Sequence, residues 1–140
     1  MARNLLLWGL ILAMASVALG AFGAHGLKQL VSADKVAIFE TGVRYQFMHA
    51  LALIFLGLYI TQNENHANHL ANTKGLLVSA RFFLVGILFF SGSLYLLSLQ
   101  SLCSYNYSKI MGPITPIGGL FFMLGWGTWI RLVWLHKVDK

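Results

Sequence analysis

Tyr45, Gln46 and His49 fall within one helical turn, with Tyr45 and His49 four residues apart. Just before them stand Glu40 and Arg44, again at a spacing of four, with the acid on the favoured N-terminal side. An imidazole titrates near neutral pH and can accept a proton, as can that of His25 in the run Gly20-Ala21-Phe22-Gly23-Ala24-His25-Gly26. A guanidinium holds an anion or a lipid phosphate, so Arg44 is a headgroup contact in waiting and Glu40 its ion-pair partner. Thr115, inside Gly112-Pro113-Ile114-Thr115-Pro116-Ile117-Gly118-Gly119, adds a hydroxyl. The same groups also read as a hydrogen-bonded clasp between helices, and such interhelical contacts are common in membranes, at about 0.6–2 kcal/mol each.

Other chemistries find less support. The chain has four acidic residues in all, and neither a Ser/His/Asp set nor a carboxylate pair stands out for acid–base work. His66 and His69, near Glu64, have metal-ligand spacing but sit in a polar connection without a fixed third ligand. A haem between His25 and His49 would need both imidazoles well inside facing helices, whereas His25 follows a glycine-rich end. Gly112–Gly119 lacks the Lys and Ser/Thr of a phosphate loop. A single cysteine, Cys103, excludes an internal disulfide, and Asn106-Tyr107-Ser108 is a formal glycosylation sequon. Neither cofactor nor metal is called for, and the catalytic set is empty.

The elements that must position these residues are apolar. Of 140 residues, 58% are hydrophobic and 10% charged, with a mean hydropathy of +0.72. Four long stretches carry this, about 4–24, 45–61, 82–100 and 111–130. At about 1.5 Å per residue the first, third and fourth cover roughly 28–31 Å, the thickness of the hydrocarbon slab. The second reaches only about 25 Å and can borrow length from the amphipathic run before it. A soluble bundle would need charged faces that this composition does not supply. Continuous apolar runs, rather than alternation, favour helices over a barrel.

The expected architecture is therefore all-α: one transmembrane domain over 1–140, an integral membrane four-helix bundle. Met1–Gly20 has the look of a secretory signal, yet its apolar stretch is long enough to span and is read as the first crossing. From Ser32, a possible N-cap, Val36, Phe39, Val43 and Phe47 recur at helical spacing, which predicts a short interfacial amphipathic helix between spans 1 and 2 that runs or bends into the second. Gln62–Lys74 reads as a polar loop. Helix four begins near Pro113, or breaks there, because proline is tolerated in a first turn.

Antiparallel threading then brings His25, Glu40, Arg44, Tyr45, Gln46 and His49 to one membrane face with Tyr95, Gln100 and the Gly112–Gly119 stretch. His49 lies about 6 Å along its helix beyond Tyr45, inside the apolar zone. The formal charge of +6 comes from ten basic residues scattered at segment ends, without the basic run that nucleic acid would require. Arg3, Lys74, Arg81, Arg131, Lys137 and Lys140 lie on one side of four spans, and Lys28, Lys35, Arg44 and Lys109 on the other. Six against four places both termini in the cytoplasm. Trp8, Trp129 and Trp134 then form an aromatic belt on that side.

Four stretches carry a resemblance. Gly20–Lys28, Phe39–Leu53, Phe90–Tyr95 and Gly112–Gly119, with Gly125-Trp126, closely resemble the YgdD/YwdK family of small bacterial inner-membrane proteins, which has eukaryotic relatives and is grouped as a domain of unknown function. The resemblance implies a four-helix protein of the plasma membrane and no established reaction. Three roles follow from the residues: a non-enzymatic protein with a structural, membrane-integrity or accessory role; a small transporter, channel or proton-linked carrier using His25, His49 and Arg44; or a lipid-headgroup binder. The expected partners are membrane lipids, with other membrane proteins or a second copy as further candidates, and no nucleic acid.

Overall fold

A backbone amide in hydrocarbon has no water to bond, so a chain this apolar satisfies its peptide groups by coiling. The computed structural model describes residues 2–62, 69–102 and 108–136, and every regular element among them is helical. Helix α1 is Ala2–His25. A 3-10 turn over Leu27–Gln29 leads to α2, Ala33–Gln62. The third crossing is composite: α3, His69–Gly86, then a π-helical turn, Ile87–Ser91, then α4, Gly92–Leu99, closed by a 3-10 turn at Gln100–Leu102. Helix α5 is Ser108–His136. Four stretches, Ala2–Gln29, Ala33–Gln62, Thr73–Leu102 and Lys109–Leu135, are long and apolar enough to cross a membrane.

Local chemistry explains the boundaries. Ser32 occupies the N-cap of α2, its carbonyl accepting the Val36 N–H at 3.1 Å. The amphipathic run then continues into the second span without interruption, because nothing from Ala33 onward breaks a helix. Helix α3 starts at His69, inside the polar connection expected to reach Lys74. Helix α5 starts before its prolines rather than at them, so Pro113 and Pro116 lie inside it. Each removes one backbone bond, freeing the carbonyls of Lys109 and Gly112 in the first two turns, the end of the helix nearest water.

Packing is sequential. Helix α1 lies along α2, α3 along α5, and α2 joins the two pairs through α4 and α3. The first pair approaches closely at glycines: a Cβ on Gly9 would stand 2.7 Å from Ile54, and one on Gly57 would stand 2.7 Å from Leu6. In lipid, where burying apolar surface gains little, such contact is what holds helices together. One core cluster joins Leu5, Leu53, Leu56, Phe83, Ile87 and Phe122. A second, at the end where α1 turns into α2, gathers Leu27, Val36 and Phe39, with Tyr95 packed against them. Outward faces carry large apolar side chains such as Met14, Phe55, Leu88, Met123 and Ile130, suited to acyl chains.

Candidate functional site: a polar clasp and a charged groove

His49 sits at the middle of α2 and is 4% exposed. Its Nδ1–H donates to the Tyr45 carbonyl one turn back at 2.8 Å, and its Nε2 accepts the indole N–H of Trp126 at 3.1 Å. A carbonyl only accepts and an indole N–H only donates, so the pair of bonds selects the neutral Nδ1–H tautomer. The ring stacks on Phe122, centroids 3.6 Å apart and planes within 9°. Phe83 closes another side at 5.3 Å. The imidazole is thus held by α2, α3 and α5 together.

One turn away, Gln46 is 5% exposed and uses both ends of its amide. Its Nε2 donates to the Leu12 carbonyl of α1 at 3.0 Å, and its Oε1 accepts the Tyr95 hydroxyl of α4 at 3.0 Å. The Leu12 carbonyl also receives the Ser16 hydroxyl at 2.8 Å. Gln46 therefore ties α1 to α4 across α2.

Two further ties bind the other helix pair. The buried Ser79 hydroxyl of α3 donates to the Gly125 carbonyl of α5 at 2.7 Å. Ser93 and Thr115 hydroxyls meet at 2.7 Å, and each also reaches a carbonyl of its own helix, Phe90 and Met111. Whichever of the two donates to the other, one proton remains for a carbonyl. Next to this pair the π-helical turn presses its backbone on α5: a Cβ on Gly118 would collide with the Phe90 nitrogen and Cα. Within that turn the Ser91 hydroxyl is fully buried and has no hydrogen-bond partner among the described residues.

The expected cluster thus divides. Tyr45, Gln46 and His49 are brought together, Tyr45 by its carbonyl and by its ring, which packs on Phe90 at 4.6 Å while remaining 38% exposed. Thr115 joins Ser93 instead. His25 is exposed, at the end of α1. Its near neighbour Gly23 packs on Phe39, ten residues and so about 15 Å along α2 from His49. Polar groups therefore run from one rim to the middle of the bundle instead of gathering at the rim.

Glu40 and Arg44 are both exposed, and the expected ion pair between them is not formed. Holding two long exposed side chains in one geometry gains about 0–1 kcal/mol, which side-chain entropy offsets. Both instead line a lateral groove of about 390 Å³ between α1 and α2, walled by Ser16, Val17, Gly20, Val43 and Phe47. Glu40 also borders an adjoining depression with Lys28.

The residues that the sequence reading did not assign to the cluster are Trp126, Phe122 and Phe83. Gly125-Trp126 was the available signal, since an indole within about a turn of the α5 midpoint has no interfacial reason to be there. Among the described residues no group of three His, Cys, Asp or Glu approaches metal-binding geometry. Glu64, His66, Cys103 and Asn106 lie outside the described residues.

Residues 19–119 match a family described as a protein of unknown function, DUF423. The chain is 41% identical to a UPF0382 membrane protein of Staphylococcus aureus, over 84% of each chain. It is 36% identical to the UPF0382 membrane protein YwdK of Bacillus subtilis, over 84% of this chain and 85% of that one. It is 35% identical to the UPF0382 inner membrane protein YgdD of Escherichia coli, over 89% of this chain and 84% of that one. No solved structure matches.

Proposed function

This chain belongs to the DUF423 family of membrane proteins, and from that premise we propose that it is a non-enzymatic component of the bacterial inner membrane, with a structural or accessory role. One observation carries the reading: both nitrogens of His49 and both ends of the Gln46 amide are hydrogen-bonded, the imidazole to its own helix and to α5, the amide to α1 and α4. A proton carrier needs an imidazole with a free face and a water-filled approach. His49 instead has an aromatic ring flat against it and is shut off from the surface, as a structural clasp would be. The excess of basic residues on the side of Arg3, Lys74, Arg81 and Arg131 supports cytoplasmic termini.

The discriminating variant is His49→Ala. Losing a stacked ring and two hydrogen bonds lowers stability by about 2–4 kcal/mol. The melting temperature in detergent is expected to fall, with ion or proton flux through reconstituted liposomes unaltered. A variant that melts normally but abolishes a flux shown by the native protein refutes the clasp.

A second reading, lipid binding, is favoured by the groove between α1 and α2, whose walls are apolar and whose rim carries Glu40 and Arg44, neither ion-paired among the described residues. It is compatible with the first, since the clasp fixes the two helices that form the groove.

A further inference from the structure

A charge at the edge of hydrocarbon that has no ion-pair partner among the described residues is stabilised by a counter-charge. Arg44 lies five residues from His49, about 7–8 Å along α2 from the middle of that helix, and the half-thickness of a hydrocarbon slab is about 15 Å. With the middle of α2 set at the bilayer centre, its guanidinium extends outward to reach the headgroup level. Glu40 is one turn further out, about 13–14 Å from His49, at that level already. The two charges share one groove, and among the described residues neither has an ionic partner.

The space beneath them is apolar. Gly20 leaves it open, since even a Cβ there would stand 3.6 Å from Val43. Val17, Val43 and Phe47 supply the walls, and the buried Ser16 hydroxyl gives its only proton to the Leu12 carbonyl. The groove thus has an acyl-sized floor, then a cation, then an anion one turn further toward water.

The geometry points to a single glycerophospholipid with an amine-bearing, zwitterionic headgroup as the occupant. Its acyl chain lies against Val17, Gly20, Val43 and Phe47, its phosphate takes charge-assisted hydrogen bonds from Arg44, and its ammonium donates to the Glu40 carboxylate. An anionic headgroup without an amine would satisfy Arg44 and be repelled by Glu40. A quaternary ammonium would bring charge but no N–H donor. The inference deepens the lipid reading above and rests on it.

The test uses the whole protein, reconstituted in nanodiscs holding equal parts phosphatidylethanolamine, phosphatidylglycerol and phosphatidylcholine, then examined by native mass spectrometry. One retained phosphatidylethanolamine is expected, in about tenfold preference to the other two. Arg44→Ala should lose retention of all three, Glu40→Gln should retain lipid but lose the preference, and Gly20→Leu should lose lipid by filling the groove with both charges intact. Melting temperatures of the three variants should match the native protein, because Glu40 and Arg44 are exposed and a Cβ on Gly20 would meet Val43 at ordinary contact distance without a clash. Equal retention of the three lipids, with loss in Arg44→Ala, overturns the headgroup assignment and leaves lipid binding standing. Retention unchanged in both Arg44→Ala and Gly20→Leu overturns both.

Discussion

At the scale of single residues, the polar side chains in this bundle follow one accounting rule. Hydrocarbon offers no substitute partner, so most buried donors and acceptors are matched inside the protein, the Ser91 hydroxyl and Gln100 Oε1 being exceptions among the described residues. Trp126 illustrates the direction of the cost. Replacing it by phenylalanine keeps an aromatic ring but leaves His49 Nε2 buried without a donor. Trp126→Phe should destabilise by about 1–2 kcal/mol, read as a lower melting temperature in detergent. Gln46 and Tyr95 form a pair that can be apportioned. A double-mutant cycle with Gln46→Leu and Tyr95→Phe should give a coupling energy of about 0.6–1.7 kcal/mol. Additivity of the two would show that the bond carries no net stability.

At the scale of elements, the most consequential feature is the π-helical turn in the third crossing. One extra residue per turn rotates everything after it by about 100° relative to an unbroken helix. That rotation accompanies the Ser93–Thr115 contact and the seating of the Phe89–Phe90 backbone on Gly118. The Ser91 hydroxyl inside the turn has no partner among the described residues. Gly118→Ala should therefore overpack a contact that is backbone on its far side and cannot swing away, at about 1–3 kcal/mol or more. Gly119→Ala is the control, because its Cβ would meet only the Phe90 ring at 3.7 Å. Matching melting temperatures for the two variants would contradict this account of the turn. The two prolines of α5 belong to the same scale: a helix can carry them near its outer end, where freed carbonyls meet headgroup water.

At the scale of the whole molecule, threading and charge decide what faces which side. Lys28 and Lys35 stand at the turn from α1 to α2, opposite the termini, and Lys35 reaches across to the Leu97 carbonyl at 3.2 Å. With cytoplasmic termini, Lys28 faces the outside of the cell. In a Cys103→Ser background, Lys28→Cys should react with an impermeant maleimide added to intact cells whose outer barrier has been opened. Labelling that appears only after lysis of the inner membrane would invert the orientation. Helix α1 packs closely along α2 alone, so much of its remaining surface, including Leu10, Met14 and Val17, is left for lipid. The Gln46–Leu12 bond is one of the few polar ties on that helix, so loss of Gln46 should be felt there first.

Composition and the run lengths of apolar residues were enough to establish helices and four crossings, because in lipid the hydrogen-bonding demand of the backbone leaves few alternatives; the family resemblance came from particular stretches such as Phe39–Leu53 and Gly112–Gly119. Local spacing was likewise enough to bring Tyr45, Gln46 and His49 to one stretch of one helix. What occupied the other side of that stretch was not readable there. Trp126 is 77 positions from His49, and whether its N–H meets the imidazole depends on how α5 is rotated against α3. Glu40 and Arg44 have the right spacing to pair and do not, and His25 shares a rim with Arg44 without entering the clasp. Separation along a helix sets which groups can meet; only the packing of several helices sets which do, since each contact requires axial height and rotation to agree at once.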